Sequence, residues 1–128
     1  MLKDAMGGYR GTATEISRVI AQHPDNAEAY YNRGNARSSC NDYEGAISDF
    51  TMALNIGLRY REAITAYGNR GIARVKSGDL EGALQDFTEI INRNPTNKRL
   101  LSTAYRNRAR VKEKKGDTKG ATEDREQC

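Results

Sequence analysis

Three stretches of this 128-residue chain are near-copies of one another. Tyr30-Tyr31-Asn32-Arg33-Gly34 returns as Tyr67-Gly68-Asn69-Arg70-Gly71 and again as Tyr105-Arg106-Asn107-Arg108-Ala109. Between them runs a second signature: Asn41-Asp42-Tyr43-Glu44-Gly45-Ala46, then Gly78-Asp79-Leu80-Glu81-Gly82-Ala83, then Gly116-Asp117-Thr118-Lys119-Gly120-Ala121. A weaker copy of it opens the chain at Gly7-Gly8-Tyr9-Arg10-Gly11-Thr12, and the copies lie 34, 37 and 38 residues apart. A period of this size means stacked supersecondary units, each touching only its neighbours, rather than one deep core. Such a stack offers a long surface and few closed pockets, which turns the functional question from catalysis to binding.

Each unit reads as two helices. Ala29, Tyr30, Arg33, Gly34 and Arg37 recur at three- and four-residue spacing, which predicts a helix over 27–39. Asn41 tolerates the left-handed conformation that ends helices, and Asp42 can cap the next one. Tyr43, Ala46, Ile47, Phe50, Ala53 and Leu54 then line one face of a helix over 43–56, with Gly57 as its stop. The same plan predicts helices over 61–76 and 80–92, ended at Asn94-Pro95 because proline disfavours helix in the residue before it, and over 98–115 and 118–127. At the start, 9–22 matches only the second helix of a unit, with Ile16 in the Phe50 slot. The last helix is polar, with Arg125 where the others have Phe50 and Phe87, as expected of an element that faces water on one side.

Two periodic series should hold the helices together. Gly34, Gly71 and Ala109 sit mid-helix, where glycine costs about 1 kcal/mol relative to alanine, so a close neighbour is expected there. Ala46, Ala83 and Ala121 are the expected opposing residues. Arg33, Arg70 and Arg108 each precede an aspartate by 16 residues (Asp49, Asp86 and Asp124), which predicts one helix-to-helix ion pair per unit.

These residues resemble the tetratricopeptide repeat. That family's pattern is met by Tyr30, Gly34, Tyr43, Ala46, Phe50 and Ala53, by Tyr67, Gly71, Ala83, Phe87 and Pro95, and in part by Tyr105, Ala109, Gly116 and Ala121. The resemblance implies an all-α fold, an α-α superhelix of antiparallel helix pairs with about seven helices. Its parts would be an N-terminal half-repeat over 9–24, repeats over 27–60 and 64–97, and a third over 102–128 with a polar capping helix. The family's usual unit has 34 residues, so two steps are long by three and four; the additions fall near Leu58–Tyr60 and Lys98–Leu101. An extra helical turn accommodates them and offers a place to bend.

The resemblance also implies a concave groove, lined by the first helices, that binds an extended peptide or a helix of a partner protein. Asn32, Asn69 and Asn107 recur two residues after the stripe tyrosine, and an amide both donates and accepts hydrogen bonds. They can form a ladder for a peptide backbone, or bond neighbouring helices. Tyr31 and Asn35 stand beside the ladder in the first unit, Thr65, Ile72 and Lys76 in the second, and Arg106, Arg110 and Lys114 in the third. Residues 97–128 carry ten Lys and Arg against five Asp and Glu, whereas residues 1–96 are near neutral. The groove should therefore grade from polar to basic and suit a ligand with acidic residues at one end; a solvated basic end is the competing reading. The carboxylate clamp of the family's chaperone-binding members is matched only at Asn35 and Asn69. Tyr31, Thr103 and Asn107 replace its charged residues, so no tight clamp is expected.

The opening helix lacks a partner, so Tyr9, Ile16 and Val19 are expected to leave an apolar face for self-association with a second copy. Nucleic acid is disfavoured, because aromatics do not alternate with the Lys/Arg cluster. No stretch reaches the roughly 18 apolar residues of a membrane span. The start holds no apolar core of signal-peptide length, and Cys40 and Cys128 form no framework, so a cytoplasmic protein with free thiols is expected. No catalytic, metal or cofactor constellation is expected; His23 precedes Pro24 in a turn, with no second His or Cys beside it.

Overall fold

The computed structural model describes residues 5–128, with side chains from residue 12 onward. They form seven helices and no strand: α1 (Ala5–Gln22), α2 (Ala27–Ser39), α3 (Tyr43–Ile56), α4 (Tyr60–Ser77), α5 (Leu80–Arg93), α6 (Lys98–Lys114) and α7 (Thr118–Arg125). Every helix packs on the next one in the chain, giving an all-α solenoid of helix pairs.

The helix ends follow from single residues. Asp42, Asp79 and Asp117 accept a hydrogen bond from the backbone N–H of Gly45, Gly82 and Gly120 (2.9–3.0 Å), capping α3, α5 and α7 alike. Asn41 (φ 67°), Gly78 (φ 94°) and Asn94 (φ 48°) take the left-handed conformation that ends α2, α4 and α5. The added residues are helical: α4 and α6 reach Tyr67 and Tyr105 only at their eighth residue, whereas α2 reaches Tyr30 at its fourth. Each thus carries one extra N-terminal turn.

Packing is shared between consecutive helices. Phe50, Ala46 and Ala66 form one buried cluster with Tyr31, Leu54 and Leu58 against it. Phe87, Ile64, Ala83, Ile90, Ala104 and Val111 form a second. The close approach at the mid-helix glycines is real, but its partner differs from the expected alanines. A Cβ on Gly34 would lie 2.9 Å from the Phe50 ring, and one on Gly71 2.7 Å from the Phe87 ring. The small residue makes room for an aromatic, the larger source of buried apolar area. Where Arg125 replaces the ring, its guanidinium turns to Glu113 (2.8 Å), and Ala109 carries its Cβ fully buried.

The three arginine–aspartate pairs form as expected. Arg33, Arg70 and Arg108 each give two parallel hydrogen bonds to Asp49, Asp86 and Asp124, at 2.6–3.0 Å. Arg37, Arg74 and Lys112, one turn on, reach the same carboxylates at 3.0–3.1 Å. The remaining guanidinium nitrogen of each first arginine donates to a hydroxyl of the preceding second helix: Ser17, Thr51 or Thr88. One arginine therefore ties the two helices of its own unit together and ties both to the unit before. The aspartates are buried, and a buried pair of this kind fixes geometry more than it adds net stability. Burial opposes ionisation of Asp124, but hydrogen bonds from Arg108 and Lys112 and their charges outweigh it and hold its carboxyl below the ordinary value of 3.8.

Candidate functional site

The first helices α2, α4 and α6 provide the face on which the ladder asparagines lie, and the two junctions along it differ. At the first, α2 and α4 touch, and Asn69 Nδ2 donates to Asn35 Oδ1 across them at 2.9 Å. At the second, α4 and α6 both pack on the intervening α5, as α2 and α4 do on α3. The slot of Asn35 is filled there by Ile72, which offers no amide to Asn107. Gly68 adds no side chain and lies over Ile90 of α5.

Three clefts follow one another along this α4–α6 seam. The first, about 700 Å³, sits between the two extra turns and is lined by Arg59, Tyr60, Arg61, Glu62, Thr65, Asn97 and Leu100. The second, about 210 Å³, shares Thr65 and Leu100 with it and adds Asn69, Ile72, Arg99, Thr103 and Asn107, with Ile64, Ile90 and Ala104 among its walls. The third, about 170 Å³, shares Ile72 and Asn107 with the second and adds Val75, Lys76, Arg110 and Lys114, with Phe87 and Val111 beneath. Ile72 and Leu100 are 41% and 36% exposed, so the seam presents apolar surface to water.

Asn69, Lys76, Asn107 and Arg110 come together along this seam. The other candidates do not join it. Asn35 is engaged with Asn69 at the first junction. Tyr31 is half-buried, with its ring 6.2 Å from that of Phe50 and tilted by 59°. Asn32 and Arg106 are exposed and line none of these three clefts. Sequence reasoning missed Arg59, Arg61, Arg99 and Leu100. The signal for them was the lengthened spacing, which marks inserted turns but not the cleft between two of them. On α1, Val19 is 40% exposed and Ile16 half-buried; the Tyr9 side chain lies outside the described residues.

Residues 16–48 match the family model of the tetratricopeptide repeat. That segment, which runs from α1 into α3, is similar to one tetratricopeptide repeat. Solved structures of MamA share the fold. One described as the crystal structure of MamA is 21% identical with a TM-score of 0.79, covering 90% of this chain and 63% of that one. A second, the crystal structure of MamA protein, is 20% identical with a TM-score of 0.82, covering 93% and 61%. A third, MamA MSR-1 C2, is 17% identical with a TM-score of 0.79, covering 94% and 66%. The chain thus spans somewhat less than two thirds of the length of these structures. No curated protein sequence matches the chain. The described residues include no helix long and apolar enough to cross a membrane and no cluster of three or more His, Cys, Asp or Glu side chains placed to hold a metal ion.

Proposed function

We propose that the chain is a non-catalytic protein-interaction module whose first-helix face takes a segment of a partner protein. The observation that carries this reading is the α4–α6 seam. Amides that can bond a peptide backbone (Asn69, Asn107), an exposed apolar side chain (Ile72) and cations (Lys76, Arg110) line one run of clefts there. Concave sites that combine apolar walls with a few polar groups are the usual form of a recognition site. The test is an array of nine-residue peptides probed with the wild type and with the Asn69→Ala, Ile72→Asp, Asn107→Ala triple variant. Binding lost by a variant that keeps its helical circular dichroism supports the reading; binding unchanged rejects it.

Self-association through α1 is the second reading, favoured by the exposure of Val19. A strict monomer by light scattering at high concentration removes it.

A further inference from the structure

The seam is not uniform in charge. Arg59 and Arg61 line its opening between the extra turns, with Glu62 as the one acid among the lining residues, and Arg99 follows in the adjoining cleft. Its middle exposes the apolar side chains of Ile72 and Leu100 beside the amides of Asn69 and Asn107. Lys76, Arg110 and Lys114 line the far end, with no acid among the lining residues there. Cations therefore stand at both ends, not only at the basic C-terminal end that composition suggests. From Arg61 to Lys76 is 15 residues of α4, or about 22 Å at a helical rise of 1.5 Å per residue. An extended chain covers that distance in about seven residues.

We propose that the seam binds an extended acidic–apolar–acidic segment of a partner protein, laid along the axes of α4 and α6 rather than across the repeats. This rests on the peptide-binding reading above and adds to it the ligand's pattern and direction. The apolar residues cover Ile72 and Leu100, and the carboxylates at either end meet Arg59 and Arg61, with Arg99 next to them, or Lys76, Arg110 and Lys114. Guanidinium groups suit this because their planar donors grip carboxylates in pairs. The extra turns are part of the site, since without them the opening cluster has no scaffold.

Fluorescence anisotropy with the full chain tests this. The probes are two dye-labelled peptides of one composition, one with three leucines between two runs of three glutamates, the other with all six glutamates preceding the leucines. The split peptide should bind about tenfold more tightly, because only it can satisfy both cationic ends at once. Ile72→Asp should abolish its binding, and Arg61→Glu and Arg110→Glu should each weaken it about fivefold or more, while Lys119→Glu on α7 should leave it unchanged. All four positions are exposed, so the variants should fold. Equal binding of the two isomers, or equal loss from Lys119→Glu, overturns the proposed pattern yet leaves peptide binding standing. Light scattering that reveals dimers abolished by Ile72→Asp assigns the seam to a second copy and also overturns the proposal. If neither these probes nor any peptide of the array binds, the peptide-binding reading falls with it.

Discussion

Gly68 and Gly71 lie one turn apart on α4, and the same substitution should have opposite effects at the two. In an open helix interior, glycine to alanine stabilises by about 1 kcal/mol. A Cβ on Gly68 would meet Ile90 Cδ1 at 3.6 Å, an ordinary contact, so Gly68→Ala should gain most of that amount. A Cβ on Gly71 would lie 2.7 and 2.8 Å from two Phe87 ring carbons, about 0.7 Å inside the shortest comfortable carbon–carbon separation. The ring is 1% exposed and packed within its cluster, so it can yield only by straining its neighbours. Overpacking of this kind costs about 1–3 kcal/mol, and against the propensity gain it leaves Gly71→Ala destabilising by up to about 2 kcal/mol.

Phe87→Leu relieves the clash at the cost of a smaller core residue. In that background Gly71→Ala should become neutral or stabilising, a coupling of about 1–2 kcal/mol. The third unit already shows the paired change, with Ala109 facing no ring because Arg125 stands in the ring's place. Urea denaturation of the four proteins in the cycle, with Gly68→Ala as control, measures the coupling. Additive effects of Gly71→Ala and Phe87→Leu would refute the argument that the glycine exists to seat the ring.

Three further outcomes follow from the polar network. Asp86→Asn should cost about 3–5 kcal/mol by chemical denaturation, because it leaves Arg70 and Arg74 facing a neutral group in a largely buried place. Asp124 is held below its ordinary value in the fold, so its contribution is fully present above about pH 4 and is lost as pH falls through the lower folded value; the urea midpoint should drop over that acid range, and the Asp124→Asn variant should lack this part of the drop. Asn69→Ala removes one half-buried amide bond to Asn35 and should cost only about 0.5–1.5 kcal/mol in denaturation while weakening peptide binding, which separates its structural role from its recognition role.

The fold was legible because its causes are local and repeated. An aspartate cap, a left-handed asparagine or glycine and an i, i+3, i+4 stripe recur in each unit, so each element is specified several times over. The arginine–aspartate pairs were legible for the same reason, since a constant offset of 16 residues survives only if both partners matter to the same contact. The partner of Gly71 was misread because spacing along the chain says which residues share a face, not which side chain is long enough to cross to the next helix. The opening of the seam was not legible at all. It lies where α4 and α6 both pack on α5, between two inserted turns that belong to different repeats and that chain spacing does not bring together.

Comparison of the units with one another separates scaffold from surface without any second protein. Slots that keep their residue across all three copies, the arginines at 33, 70 and 108 and the aspartates at 49, 86 and 124, are engaged inside the stack. The ladder asparagines belong to this constant set, and the one of them that meets an amide in the neighbouring slot, Asn69, donates to Asn35. At Asn69 the constant residue therefore serves packing between units, whereas Asn32 is exposed to solvent. The slots that change are Tyr31, Gly68 and Arg106, then Asn35, Ile72 and Arg110, then Ser39, Lys76 and Lys114. Several of these line the seam, and a residue released from the repeat is free to be chosen for what it touches outside. The substitution Ile72→Asn puts an amide next to Asn107, and it should rebuild the bridge of the first junction and close the middle cleft. Its expected signature is unchanged or slightly higher stability with loss of peptide binding, and a variant that still binds peptide as the wild type does would show that the seam is not where the ligand lies.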